Sequence, residues 1–214
     1  MTVAPPLWAL VAIRSSTGKQ RLAGRLDQGQ RRQLVMAMAE DVLSALVASP
    51  QLAGVALTTQ DPELAGLAER LGTQIIPDPG EGGLNGALSH ACDVLMAEGA
   101  QSVLIVHGDV PELTPADIAE LCTAHEGGVT IARAASDGGT NGLLLSPPDV
   151  IALQFGVDSC AAHVSATQNA GLRPKVLAIA GLNHDIDEPE DLALLAASGS
   201  DGKAAGFARA LATC

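Results

Sequence analysis

The chain is short of aromatic side chains: its 214 residues hold one Trp, two Phe and no Tyr. Its core must therefore be packed with Leu, Val, Ile and Ala, and the stacking platforms that single-stranded nucleic acid requires are hard to assemble. Basic residues are scarce too, with 12 Lys and Arg against 24 Asp and Glu and a formal net charge of -12. Binding to a nucleic-acid backbone rests on Lys and Arg displacing counterions, so this balance argues against a nucleic-acid partner. A small phosphorylated ligand stays open, because it needs only a few local cations or a bound metal. The four cysteines, Cys92, Cys122, Cys160 and Cys214, form no C-x-x-C pair. That spacing disfavours disulfides and zinc and suits the reduced thiols of a cytoplasmic protein. Long apolar runs are lacking as well. The stretch 3–13 is interrupted by Pro5 and Pro6, has no basic residue before it, and is far too short to span a membrane.

What is present is alternation. Short apolar runs at 7–13, 55–57, 73–76, 102–106, 129–132, 141–145 and 176–179 read as strands. Segments at 30–47, 62–71, 86–96, 115–124, 161–171 and 190–197, and a last one ending at 212, read as helices. No linker separates fresh hydrophobic patterning. The expectation is one α/β domain over residues 1–214, with a mostly parallel sheet flanked by helices. Asp61 before Pro62 and Thr114 before Pro115 read as helix N-caps, and the C-terminal tail reads as packing.

The loops after the strands carry the chemistry. The run His184-Asp185-Ile186-Asp187-Glu188-Pro189-Glu190-Asp191-Leu192 packs five acidic residues into nine positions. Read as the end of the strand 176–179, Asp185 and Asp187 lie two apart and point the same way. Carboxylates that close repel unless a cation sits between them, and hard oxygen ligands suit Mg²⁺. Helix capping is the alternative, with Pro189 opening a helix and Glu190 and Asp191 facing its positive end. Asp109, in His107-Gly108-Asp109-Val110-Pro111, follows a central strand, where open α/β sheets bind ligands, and is a second metal-ligand candidate or a turn aspartate. Arg14, Lys19 and Arg21 make the first loop locally cationic, suited to a polyphosphate or merely solvated. That loop matches neither the Walker A nor the G-x-G-x-x-G spacing. Pro77 to Asn85 carries Gly80, Gly82 and Gly83, which let backbone approach a ligand. Asn85 either caps the next helix or reads a base edge. Thr140 and Asn141 either bind a phosphate or carboxylate or close a hairpin, and Gly156 with Ser159 forms an anion site or a cap. His107 has no evident partner.

Together these loops supply what nucleotidyl transfer needs: charge neutralised at the α-phosphate and the leaving pyrophosphate, and an in-line nucleophile. The sequence also resembles the guanylyltransferases of coenzyme F-420 biosynthesis, which activate 2-phospho-L-lactate, phosphoenolpyruvate or 3-phospho-D-glycerate. The resemblance runs from about Trp8 to Leu195. It is carried by Lys19-Gln20-Arg21-Leu22, Gly83-Leu84-Asn85, Gly108-Asp109-Val110-Pro111, Gly139-Thr140-Asn141-Gly142-Leu143-Leu144-Leu145, Phe155-Gly156 with Ser159 and His163, and the run from Asp185 to Leu192. It implies a single Rossmann-like nucleotidyltransferase domain, GTP and a small phosphorylated acid as substrates, and Mg²⁺ held by Asp109, Asp185 and Asp187. It further implies Lys19 and Arg21 at the triphosphate, Gly83 and Asn85 at the nucleotide, and Thr140, Gly156 and Ser159 at the acid.

Two departures stand out. Arg14 replaces a common Lys in a shortened first loop, and Cys160 stands where Phe is common, which could widen the acid pocket for phosphoglycerate. A sugar-phosphate or molybdopterin nucleotidyltransferase of similar fold is the nearest alternative. A non-catalytic nucleotide-binding protein is the alternative of a different class. Oligomeric state stays open, a homodimer included.

Overall fold

The computed structural model describes residues 6–15, 18–135 and 138–212. Seven strands form one mixed sheet: β1 (Leu7–Ala12), β2 (Gly54–Thr59), β3 (Gln74–Pro77), β4 (Ser102–His107), β5 (Gly128–Arg133), β6 (Thr140–Ser146) and β7 (Lys175–Leu177). Their order is β3-β2-β1-β4-β6-β5-β7. The first four run parallel, β6 lies antiparallel to both β4 and β5, and β7 is parallel to β5. The helices among the described residues are α1 (Gln28–Val47), α2 (Pro62–Arg70), α3 (Gly83–Ala97), α4 (Pro115–Ala124), α5 (Ser159–Asn169), α6 (Pro189–Ala197) and α7 (Lys203–Ala212), with 3-10 turns at Gln20–Gly24 and Ala180–Leu182.

Strand positions on both faces are apolar because helices cover both faces. One cluster joins Val11, Leu57 and Leu104 to Leu43 of α1, Leu67 of α2 and Leu121 of α4. On the other face Leu10, Ile105 and Leu143 meet Leu88 and Leu95 of α3 and Phe155. α1 is buried on two sides, since Leu34, Val35 and Met38 pack against Leu195 and Ala205. The tail is therefore packing, as expected. It is fastened by Asp41 of α1, whose carboxylate accepts from the N–H groups of Lys203 and Ala204 (both 2.8 Å) at the start of α7.

Capping follows the sequence at Asp61, which accepts from Glu63 N–H (3.0 Å), and at Thr114, which forms a reciprocal capping box with Asp117. Two expectations need correction. α3 begins at Gly83 rather than at residue 86, because Gly82 and Gly83 both adopt left-handed backbone (φ 71° and 64°), which turns the chain into the helix early and places Asn85 inside its first turn. Asp185 and Asp187 do not end a strand. β7 pairs with β5 for only three residues, after which Ile179 and Leu182 turn inward to full burial, drawing the backbone into the 180–182 turn.

That turn is locked to α4. Gly181 N–H donates to Asp117 Oδ1 (3.1 Å), and a methyl group at Gly181 would overlap the Asp117 carboxylate and lie 2.8 Å from Glu112 O. Gly181→Ala is thus expected to cost about 2 kcal/mol of stability, the usual effect of overpacking a closed contact. Urea unfolding checks this: a midpoint equal to that of the wild type would show that the turn yields freely.

Candidate active site

The strand order reverses at β1, between β2 and β4, and open α/β sheets bind ligands outside the carboxyl ends of strands at such a point. A cleft of about 190 Å³ lies there, bordered by Ala12, Ile13, Ser15, Lys19, His107 and Asp109. The two strand ends approach so closely that a side chain at Gly108 would overlap Ile13.

Here the chain gathers its acidic residues. Asp109, Asp185 and Asp187 each offer a carboxylate oxygen, and these atoms all lie within 4.8 Å of one another. Backbone and side-chain bonds hold them in place. Ile186 N–H donates to Asp109 O (3.0 Å), which pins the 184–187 loop to the end of β4. The Asn141 amide donates to Leu182 O (3.0 Å) and reaches Asp185 Oδ1 (3.4 Å). Asp191 accepts from the N–H groups of Asp187 (2.9 Å) and Glu188 (2.7 Å). Capping and metal-type readings of the acidic run therefore divide by residue: Glu188 and Asp191 cap α6, while Asp185 and Asp187 face Asp109.

One cation reaches into the cluster. Lys19 Nζ donates to Asp109 Oδ2 (2.5 Å) and Asp187 Oδ1 (2.6 Å), with its side chain only 10% exposed. Its backbone sits in the left-handed region (φ 60°) at the head of the 20–24 turn. Arg21, more exposed, lies 3.5 Å from Asp187 Oδ2 and Glu188 Oε1. Burial opposes charge on Lys19, but Asp109 and Asp187 outweigh it and hold the ammonium above its usual pKa. Burial likewise opposes the Asp109 carboxylate, and Lys19 overcomes it, leaving Asp109 below the usual carboxylate range. Asp185, desolvated and beside Asp109, is pushed up. Asp109 Oδ1 is buried without a hydrogen-bond partner among the described residues. Three converging carboxylates, one with an oxygen left over, form a hard-oxygen donor set that fits a divalent cation.

The other expected residues fall into neighbouring groups. Arg14 does not join Lys19; its Nε donates to Asp78 Oδ2 (2.9 Å). Asp78, whose side chain is fully buried, also accepts from Gly80 N–H (2.7 Å) and so ties the first loop to the Gly-rich loop. Gly83 opens α3, with free space where a side chain would stand. Both ends of the Asn85 amide are taken by Phe155, donating to its O (3.0 Å) and accepting from its N–H (2.8 Å). In this arrangement Asn85 joins the Gly-rich loop to the 154–159 segment rather than presenting its amide to a base. The start of α5 is tied to the turn before β6, since Cys160 N–H donates to Gly138 O (3.0 Å), and the 156–159 turn is closed by Ser159 N–H donating to Gly156 O (3.2 Å).

Sequence reasoning missed two parts of this site. His107 does have partners: its ring packs at a 47° tilt against Phe155 (centroids 5.2 Å apart), and its Nδ1 lies 3.9 Å from Asp109 Oδ1. Its place at the end of a central strand was the available signal. Asp78 gave none, because its bond to Arg14 spans 64 residues; Asn141, expected to bond a phosphate or carboxylate or to close a hairpin, reaches the Asp185 carboxylate.

Comparison with known proteins agrees with this fold. Residues 7–213 match the family model described as "Guanylyl transferase CofC like". A phosphoenolpyruvate guanylyltransferase of Sphaerobacter thermophilus is 41% identical, covering 86% of this chain and 88% of its own. One of Conexibacter woesei is 38% identical, covering 86% and 85%. Among solved structures, a candidate nucleotide-diphospho-sugar transferase of Desulfovibrio desulfuricans G20 superposes with a TM-score of 0.81 at 17% identity, over 97% of this chain and 95% of that one. A nucleotidyl transferase of Methanothermobacter superposes with a TM-score of 0.62 at 16% identity, over 96% and 99%. These two likenesses establish the nucleotidyltransferase fold. With the family model spanning nearly the whole sequence and relatives this similar over most of their length, the chain belongs to the CofC-like guanylyl transferase family.

Proposed function

We propose that the protein transfers GMP from GTP to the phosphate of a small phosphorylated acid, phosphoenolpyruvate foremost, releasing pyrophosphate, as a step in coenzyme F-420 biosynthesis. The observation that carries this reading is the meeting of Asp109, Asp185, Asp187 and Lys19 at the sheet's switch point. The names of the relatives support phosphoenolpyruvate. Cys160 packs against the apolar cluster beneath α5, so its small side chain lends phosphoglycerate no separate support.

A phosphate oxygen of the acid attacks the α-phosphorus, the bond from that phosphorus to the bridging oxygen of the β-phosphate breaks, and pyrophosphate leaves. No protein nucleophile is needed. Asp109, Asp185 and Asp187 would hold Mg²⁺, which would supply charge neutralisation at the phosphates. Lys19 and Arg21 face the triphosphate, and the Gly-rich loop with Gly83 offers backbone to the nucleotide. Arg14 stands at the edge of that loop, and Asn85 holds the loop in place. Thr140, Gly156 and Ser159 receive the acid. The Lys19 ammonium has two uses, as counter-ion to Asp109 and Asp187 in the free protein and as a phosphate ligand in the complex.

Three outcomes are expected. Mass spectrometry after incubation with GTP, Mg²⁺ and each of the three phospho-acids should find a diphosphate-linked guanosine conjugate, most abundantly with phosphoenolpyruvate. A conjugate formed only with a sugar phosphate or molybdopterin would reassign the substrate. Asp187→Asn should lower kcat by at least about 100-fold, the scale of losing one preorganised electrostatic group, while Lys19 keeps its bond to Asp109 and the fold persists. Turnover at the wild-type rate in saturating Mg²⁺ would contradict the metal role. Lys19→Met should also lower kcat about 100-fold yet bind Mn²⁺ more tightly than the wild type in calorimetry without nucleotide, because no ammonium then competes for the carboxylates; weaker Mn²⁺ binding would remove the counter-ion role.

A further inference from the structure

Beside the carboxylate cluster lies a second polar group that the reaction as described leaves unused. His163 of α5 is fully buried. Its Nε2 accepts from the backbone N–H of Gln154 (3.0 Å), and its Nδ1 lies 3.1 Å from Thr140 Oγ1. An N–H donor can bond only to an unprotonated ring nitrogen, so Nε2 carries the lone pair and the proton of the neutral ring sits on Nδ1. Nδ1–H therefore donates to the Thr140 oxygen. The Phe155 ring packs edge-on against His163 (centroids 4.9 Å apart) and excludes solvent from it.

This tautomer decides what Thr140 can do. Its oxygen is occupied as an acceptor, and its own hydroxyl proton has no acceptor among the described residues. Thr140 is 2% exposed, and a buried hydroxyl with an unused proton is a ready donor to an anion. Ser159, equally buried, begins α5. The residue before it, Asp158, provides no side-chain cap, and the space beside Gly156 is open. Cys160 N–H ties the start of α5 to Gly138 O, in the turn from which β6 and Thr140 set out, and the Thr140 hydroxyl proton there suits a carboxylate or phosphate oxygen.

We propose that His163 is a positioning residue for the phosphorylated acid: it fixes Thr140 as a hydroxyl donor and, through Gln154, holds the backbone that leads into the 156–159 turn. This rests on the reading above in which the acid lies against Thr140, Gly156 and Ser159. Burial, with a smaller contribution from His107, lowers the His163 pKa to about 4, so the ring keeps one proton and one lone pair under ordinary conditions.

Two substitutions separate the two contacts. The amide in His163→Asn falls near Nδ1 and can still donate to Thr140, whereas the amide in His163→Gln falls near Nε2 and keeps only the Gln154 contact. Steady-state kinetics with GTP and phosphoenolpyruvate should show Thr140→Val and His163→Gln raising KM for the acid about tenfold, the scale of one hydrogen bond to a charged group. KM for GTP should stay within about twofold, and His163→Asn should recover most of the loss. A merely structural histidine would give equal damage in both variants and no such split. Independently of turnover, ¹⁵N spectra of the wild-type chain should report the Nδ1–H tautomer, neutral down to about pH 4. An Nε2–H tautomer, or an unchanged acid KM in His163→Gln beside a raised one in Thr140→Val, would overturn the proposal while leaving the acid site standing. An unchanged acid KM in Thr140→Val would remove the acid from this position and the proposal with it.

Discussion

Like charges gathered from distant parts of the chain must be neutralised, and the arrangement of this protein follows from how that is done. Asp109 arrives on the loop after β4, and Asp185 and Asp187 on the loop before α6, within 4.8 Å of one another. Uncompensated, such carboxylates would drive the two loops apart. The Lys19 ammonium, nearly buried between Asp109 and Asp187, holds them together. A buried pair of this kind adds little net stability, yet removing one partner typically costs about 3–5 kcal/mol because the other charge is stranded. The cluster is thus a specification of geometry more than a source of stability.

The scaffold places these groups with fixed supports. Parallel β1 and β4 end side by side at the reversal of strand order, and only a glycine at 108 lets their following loops approach. The antiparallel β6 begins where β4 ends, so Thr140 and Asn141 reach the same edge from the opposite direction. Asn141 steadies Asp185, Asp117 fastens the turn before it, and Asn85 joins the Gly-rich loop to the 154–159 segment. The loops around the cluster are thus tied directly to one another, the kind of fixed geometry on which catalytic proximity depends.

Much of this was legible in order along the chain. The alternation of strands and helices, the caps at Asp61 and Thr114, the carboxylates at 109, 185 and 187, and the cationic Lys19 and Arg21 all follow from local pattern. Local pattern failed where a tertiary contact overruled it. The strand before Asp185 stops early because Ile179 and Leu182 are drawn into the core. α3 starts early on two left-handed glycines. Arg14 is pulled from its neighbours in sequence to the buried Asp78.

The sequence by itself determined the fold class, the strands and loops that bear chemistry, and the family, because hydrophobic period, turn residues and short motifs are properties of neighbouring positions. Only the tertiary structure decided which carboxylates meet, that Lys19 lies between two of them, that Asn85 holds Phe155, and which nitrogen of His163 carries the proton. Those are contacts across tens of residues, set by sheet register and core packing, and no local pattern encodes the distance between two loops.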